Sequence, residues 1–212
     1  LNKIPIIINY LKEGKSIALV SDAGMPSICD PGEDLVRNVK LNHLETICIP
    51  GPSASLAALI SSGFPSSKFI FEGFLPKKTT ERAKILSEIS QNEKTTIVFE
   101  SPHRLNKLLV ELKEYCGGQR EIHVSRELTK KFEEHIINTI DKLIEIFNER
   151  KVIGEITIVI KGLDKANDKG LNKLNLKKEL NELINAGLSL SAASKYLAKK
   201  KNLTKKVIYN LY

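Results

Sequence analysis

The chain has 212 residues, 42% of them hydrophobic, which is enough for one large or two small domains with a real core. No apolar run approaches the eighteen or so residues of a membrane span, and no secretory signal pattern is seen. Three scattered cysteines (Cys29, Cys48, Cys116) and four histidines without ligand spacing argue against a disulfide framework or a metal site and for a reducing cytoplasm, while a net charge of +8 points to an anionic partner, nucleic acid first.

Ile4, Ile7, Ile8 and Leu11 have helical spacing, with Asn2 as a possible cap, Pro5 in the first turn and Gly14 at the end. The apolar run Ile17 to Val20 reads as a buried strand. It leads into Ser21-Asp-Ala-Gly-Met-Pro-Ser-Ile-Cys-Asp-Pro-Gly32, where two Asp, two Gly and two Pro turn the chain sharply. A short helix is expected over Glu33 to Lys40, then a second strand over Thr46 to Ile49. That strand runs into Pro50-Gly-Pro-Ser-Ala-Ser55, where small residues open a helix from Leu56 to Ser62. Loops after strands are where ligands sit in open α/β sheets, and a helix N-terminus offers free N–H groups. The plain alternative is tight turns with capping side chains.

A change of regime at Gly63-Phe-Pro-Ser-Ser67 suggests a domain boundary. Beyond it, Phe69 to Phe74 reads as a strand and Leu75 to Lys78 as a basic loop. Helix Glu81 to Ile89, strand Thr95 to Glu100, and helix Leu105 to Tyr115 with its Leu105, Leu108, Leu109, Leu112 stripe follow. Strands Glu121 to Arg126 and Ile136 to Ile140, helix Asp141 to Asn148 and strand Glu155 to Ile160 complete the unit. The tail starts with a polar linker, Asp164 to Gly170, and continues as helices around 176–186, 191–199 and 204–211. The last two form a basic helix–turn–helix pattern, with Ser191 and Thr204 as caps and Ala193, Tyr196, Leu197, Val207 and Ile208 facing inward. Three segments result: an N-terminal α/β domain (1–68), a C-terminal α/β domain (69–163), and a linker with a basic helical tail (164–212).

There is no Gly-x-Gly-x-x-Gly fingerprint, no P-loop and no Gly-x-Ser-x-Gly elbow. The residues left in the loops are Asp22, Ser53, Glu100, Ser101, His103, Arg104, Arg126 and Glu127. They suit a cofactor that brings its own reactivity, with the protein supplying position and charge.

Five strings occur in order: Ser21 to Gly32, Pro50 to Ser55, Phe99-Glu-Ser-Pro-His-Arg-Leu105, Ser125-Arg-Glu-Leu-Thr-Lys130, and Gly154-Glu-Ile-Thr157. Together they resemble the ribosomal RNA small subunit methyltransferase I family of the tetrapyrrole methylase superfamily, over nearly the whole chain. The resemblance implies two α/β domains with S-adenosylmethionine in the cleft between them. It implies 2′-O-methylation of a cytidine in small-subunit (16S) ribosomal RNA, a substrate met within the 30S subunit, and a homodimer. By position, it assigns cofactor contacts to Asp22, Ala23, Gly24 and Met25 in the first loop, Ser53 and Ala54 in the second, and Phe99, Glu155 and Ile156 in the second domain. Family members also open with an extra strand ending in a Gly-Asn turn, a helix and a strand with an acidic motif. The chain begins at the helix after these, so the resemblance implies a first domain short of its opening segment and a sheet with an unpaired edge.

Methyl transfer from a sulfonium needs the ribose 2′-hydroxyl in line with the methyl, and a base or cation to help its proton leave. Glu100, His103 and Glu127 are the candidates for that base. Each has a structural alternative: Glu100 can pair with Arg126 or Arg104, and His103 can cap the Leu105 helix. Lys77, Lys78, Arg82, Arg104 and Arg126 are candidates for RNA phosphates, against a solvated surface for Lys77, Lys78 and Arg82. Two other functions fit the sequence: a ligand sensor that binds nucleic acid through the helix–turn–helix tail, and a methylase of a small tetrapyrrole.

Overall fold

The structure, a computed structural model, describes residues 3–164, 176–200 and 205–212. The chain divides into two compact units, Leu1–Gly162 and Leu163–Tyr212. The expected boundary near residue 68 falls within the first.

The first unit opens with helices α1 (Ile4–Lys12), α2 (Glu33–Leu41) and α3 (Ala54–Ser62). Then come β1 (Phe69–Phe74), α4 (Thr79–Gln91), β2 (Thr95–Glu100), a 3₁₀ turn at Pro102–Arg104 and α5 (Leu105–Cys116). It ends with β3 (Glu121–Arg126), β4 (Glu134–Thr139), α6 (Ile140–Asn148) and β5 (Ile156–Ile160). The strands form one mixed sheet in the order β1-β2-β5-β3-β4. The β1–β2 pair is parallel; β2–β5, β5–β3 and β3–β4 are antiparallel.

Alternation along the strands sends side chains to two cores. Val98, Ile122, Val124, Ile156, Ile158 and Ile160 meet Leu86, Ile89, Leu143, Phe147 and the α5 stripe on one face. The four stripe leucines, 105, 108, 109 and 112, are fully buried, each worth about 1.5–3 kcal/mol. On the other face Ile97 and Val159 meet Ala58 and Leu59 of α3. β5 is buried along its whole length because helices cover it on both sides. On the α3 face a polar chain crosses the sheet. His123 Nδ1 lies 3.1 Å from the Ala58 carbonyl, and His123 Nε2 3.2 Å from His135 Nδ1. The Ser125 hydroxyl is within 3.3 Å of both rings, and His135 Nε2 is 2.7 Å from Glu133 Oε1.

The expected strands Ile17–Val20 and Thr46–Ile49 do not form. Neither segment joins a ladder among the described residues, and Val20, Ile47 and Ile49 are largely exposed. An apolar run gives a strand its side chains, but only a partner satisfies its backbone. Helix α3 starts two residues earlier than expected, because Ser53 accepts from the Leu56 amide and caps it.

The second unit holds helix 176–185 (α7), α8 (Leu190–Lys200) and α9 (Lys205–Tyr209). Leu176, Leu180, Ala193, Leu197, Ala198 and Ile208 form its core. Three details differ from expectation. Ser189, not Ser191, accepts from the Ala192 amide at the start of α8. Ser191 instead accepts from Lys205 Nζ at 2.8 Å. Tyr196 is exposed rather than inward. Thr204, the linker 165–170 and the side chain of Val207 lie outside the described residues.

Candidate functional site

The two small-residue loops come together. A Cβ added at Gly24 would lie 3.8 Å from the Pro52 carbonyl, and one at Gly51 3.8 Å from Met25 Cγ. The first loop is closed on itself by the Ser21 hydroxyl, which donates to the Gly24 carbonyl at 3.0 Å. Gly24 has φ of +74°, the left-handed region that glycine enters without strain. Asp22 and Ala23 are exposed beside it. In the second loop Ser53 and Ser55 share a hydrogen bond at 3.0 Å, and Ala54 is exposed at the N-terminus of α3.

The first loop also touches the sheet. Gly73 of β1 is buried with φ of +62°, and a Cβ there would be 2.6 Å from Cys29 Sγ. The β1–β2 register shifts at the same point. Phe99 stands edge-on to Phe71 and Phe74, with centroids 5.1 and 5.6 Å apart. Phe71 and Phe74 carry no sequence signal beyond strand alternation. Ile156 is different: its side chain is buried in the α4–α6 core, the opposite face from the Ile97 and Phe71 core.

Glu100 is fully buried and held by arginine. Its Oε1 accepts from Arg104 Nε at 2.7 Å and from the Ser101 amide at 2.8 Å, with Arg104 Nη2 at 2.6 Å. Arg82 Nη2 lies 3.5 Å from its Oε2. Arg82 is itself buried and bound to Glu111 through Nε at 2.8 Å and Nη2 at 2.7 Å. Of the two arginine partners considered for Glu100, Arg104 is the one found. Arg126 binds Glu134 at 3.0 Å and the Ile153 carbonyl at 3.2 Å instead. Lys78 pairs with Glu81 at 2.8 Å.

Glu127 is a loop clip. Its amide donates to the Glu155 carbonyl and its Oε1 accepts from the Glu155 amide, both at 2.9 Å. Lys130 Nζ reaches Glu127 at 2.9 Å and Glu155 at 3.2 Å. The Glu155 amide, then Lys130, hold the Glu127 carboxyl below the usual carboxylate range. Glu127 has φ of +54°, and Gly154 leaves no room for a Cβ beside it. His103 is exposed in the 3₁₀ turn, and no hydrogen bond engages its ring among the described residues.

A mixed α/β sheet with two small-residue loops meeting at its edge is the architecture of a tetrapyrrole methylase. The family model of the Tetrapyrrole (Corrin/Porphyrin) Methylases matches residues 2–144. Among solved structures, the methyltransferase CobJ is similar with a TM-score of 0.58 at 18% identity, covering 76% of this chain and 70% of that one. Cobalt precorrin-4 methyltransferase is similar with a TM-score of 0.55 at 16% identity, covering 74% and 69%. Closer in sequence is the ribosomal RNA small subunit methyltransferase I of Synechocystis sp., 41% identical over 97% of this chain and 74% of that protein. The Bacillus subtilis protein of the same name is 38% identical over 97% and 72%. The chain belongs to the ribosomal RNA small subunit methyltransferase I family.

Proposed function

We propose that this protein transfers the methyl group of S-adenosylmethionine to the 2′-hydroxyl of a cytidine in small-subunit ribosomal RNA. The observation that carries the reading is the meeting of the two small-residue loops in a chain of this family. The residues there fit the cofactor's chemistry. The exposed Asp22 carboxylate suits a cationic group, the N–H groups at the start of α3 suit a carboxylate, and the Phe71–Phe74–Phe99 cluster offers an aromatic wall for adenine. Ala23, Gly24, Met25 and Ala54 would let it approach the backbone closely. Ile156 would take part through its backbone only, and Glu155 through its exposed carboxylate.

When bound, the cofactor supplies an activated methyl group. The protein's own task is to position the ribose hydroxyl and take up its proton. Glu100 and Glu127 are both engaged in ion pairs, which leaves His103 as the proton acceptor in this reading. The basic residues Lys77, Arg82 and Arg104 would hold the RNA. Activity in the cytoplasm on the assembled 30S subunit, by a homodimer of two-domain subunits divided near residue 68, completes the proposal. The test is incubation with labelled S-adenosylmethionine and 30S subunits, followed by mapping of the labelled nucleotide. Label on a cytidine ribose supports the reading; label on a base or on no RNA refutes it.

A further inference from the structure

Near Glu100 the structure contains a cavity of about 170 Å³, lined by Pro76, Lys77, Arg82, Arg104 and Lys107. Its charged lining is entirely cationic: two arginines and two lysines. The carboxylates of Glu100 and Glu111 bind the guanidiniums but do not line the space. Four positive charges against two negative ones leave an excess of two. Glu100 and Glu111 match the two arginines, so the excess sits on the exposed Lys77 and Lys107 at the rim, where an anion can reach it.

The arginines are fixed before any ligand arrives. Arg82 has a side chain only 8% exposed, with Nε and Nη2 bound to Glu111. That leaves Nη1 with one long contact, 3.5 Å, to the Pro76 carbonyl. Arg104 commits Nε and Nη2 to Glu100, which leaves Nη1 open. Lys77 has no ion-pair partner among the described residues. Lys107 has only the distant Glu111 carboxylate, at 4.0 Å. Lys107, Arg104 and Glu111 share one face of the α5 region by their spacing.

We propose that this cavity is a phosphate site that anchors one backbone phosphodiester of the substrate RNA. Fixed guanidinium donors match phosphate oxygens, and two flexible lysines close around the charge. The volume is below the roughly 300 Å³ at which nucleotide-sized ligands begin to fit, and suits a single phosphate with its base outside. Glu100 and Glu111 hold the guanidinium planes, so the Phe-Glu-Ser-Pro-His-Arg string shapes an anchor. The identity of the anion rests on the rRNA reading above; the existence of the site does not.

Two measurements on the full chain test this. In the first, inorganic phosphate is titrated against the arginine side-chain N–H resonances at constant ionic strength, with chloride as the control. The Arg82 and Arg104 signals should move with phosphate, not with chloride, and the response should be lost in the Lys77→Ala/Lys107→Ala double variant. In the second, binding to 30S subunits is followed across salt concentrations. The double variant should lower the slope of log affinity against log salt by about one unit, with S-adenosylmethionine affinity unchanged. Arginine signals indifferent to phosphate overturn the site, and a salt slope equal to that of the parent refutes the RNA assignment. Arginine signals that respond in a protein with no affinity for 30S subunits would likewise refute the RNA assignment and keep an anion site for another molecule.

Discussion

Glu100→Gln separates an anchor from a base. The substitution keeps the shape of the side chain and removes one charge from a cluster in which Glu100 and Glu111 balance Arg82 and Arg104. Glutamine keeps the Oε1 acceptor that Arg104 meets through Nε at 2.7 Å and Nη2 at 2.6 Å, but it loses the negative charge and turns an NH2 group toward Arg82 in place of Oε2. Arg104 is 31% exposed and recovers part of the loss from water, whereas Arg82 is 8% exposed and does not. Removing one partner of such a buried pair costs about 3–5 kcal/mol. That is a large share of the roughly 5–15 kcal/mol that holds a domain together. For a urea slope of about 2 kcal/mol/M, the unfolding midpoint followed by circular dichroism should fall by about 2 M. A catalytic base would behave in the opposite way, with the midpoint kept and single-turnover methylation reduced about 10²–10⁴-fold. Such a result would refute the anchor and restore Glu100 as the proton acceptor.

Three further outcomes are expected. Gly73→Ala should destabilise the protein by about 1–2 kcal/mol in the same assay, through positive φ and the clash with Cys29 Sγ. Adding Cys29→Ala should recover only part of that, because the dihedral strain stays; full recovery would show that φ is unimportant there. Asp22→Ala should weaken S-adenosylmethionine binding about 10- to 100-fold by calorimetry, the loss of one charge-assisted contact of roughly 1.5–3 kcal/mol, with the fold unchanged; unaltered affinity refutes that contact. Finally, Glu127, Glu133 and Glu134 all titrate below the ordinary 4.5, held there chiefly by the Glu155 amide, His135 and Arg150 respectively. Their folded-state values are depressed, so the stability they add is present above about pH 4.5 and lost as pH falls through the folded values. Amide exchange in the 127–134 loop should therefore accelerate in acid before the rest of the sheet does, and uniform exchange would count against it.

How much could be read in advance depended on how local each interaction is. The α5 stripe, the strands β2, β3 and β5, and the presence of a small polar cap before α3 are written in spacings of a few residues. The Glu100–Arg104 pair was legible as a choice between two arginines, because Arg104 follows within one turn. Arg126 was not excluded by sequence, since its partner Glu134 faces it only through the β3–β4 register. The Arg82–Glu111 bond spans two helices 29 positions apart, and nothing local announces it. Lys107 was missed although its spacing from Arg104 put both on one helical face. The segments Ile17–Val20 and Thr46–Ile49 show the reverse error. They carry the same apolar signal as β5, and what separates them from it is hydrogen-bonded neighbours, a property of other parts of the chain.

The chain of rings across the α3 face of the sheet has a consequence in counted hydrogens. A carbonyl has none to give, so His123 Nδ1 must donate to Ala58. A carboxylate has none to give either, so His135 Nε2 must donate to Glu133. Two neutral rings then turn bare nitrogens toward each other across 3.2 Å, with a single Ser125 hydroxyl hydrogen to divide between them. The hydroxyl can serve only one of the two nitrogens at a time. Burial disfavours a second hydrogen on His123. The backbone of α3, one turn past the Ser53–Ala54 loop, is thus wired through His123, Ser125 and His135 to the Glu133 carboxylate at the surface.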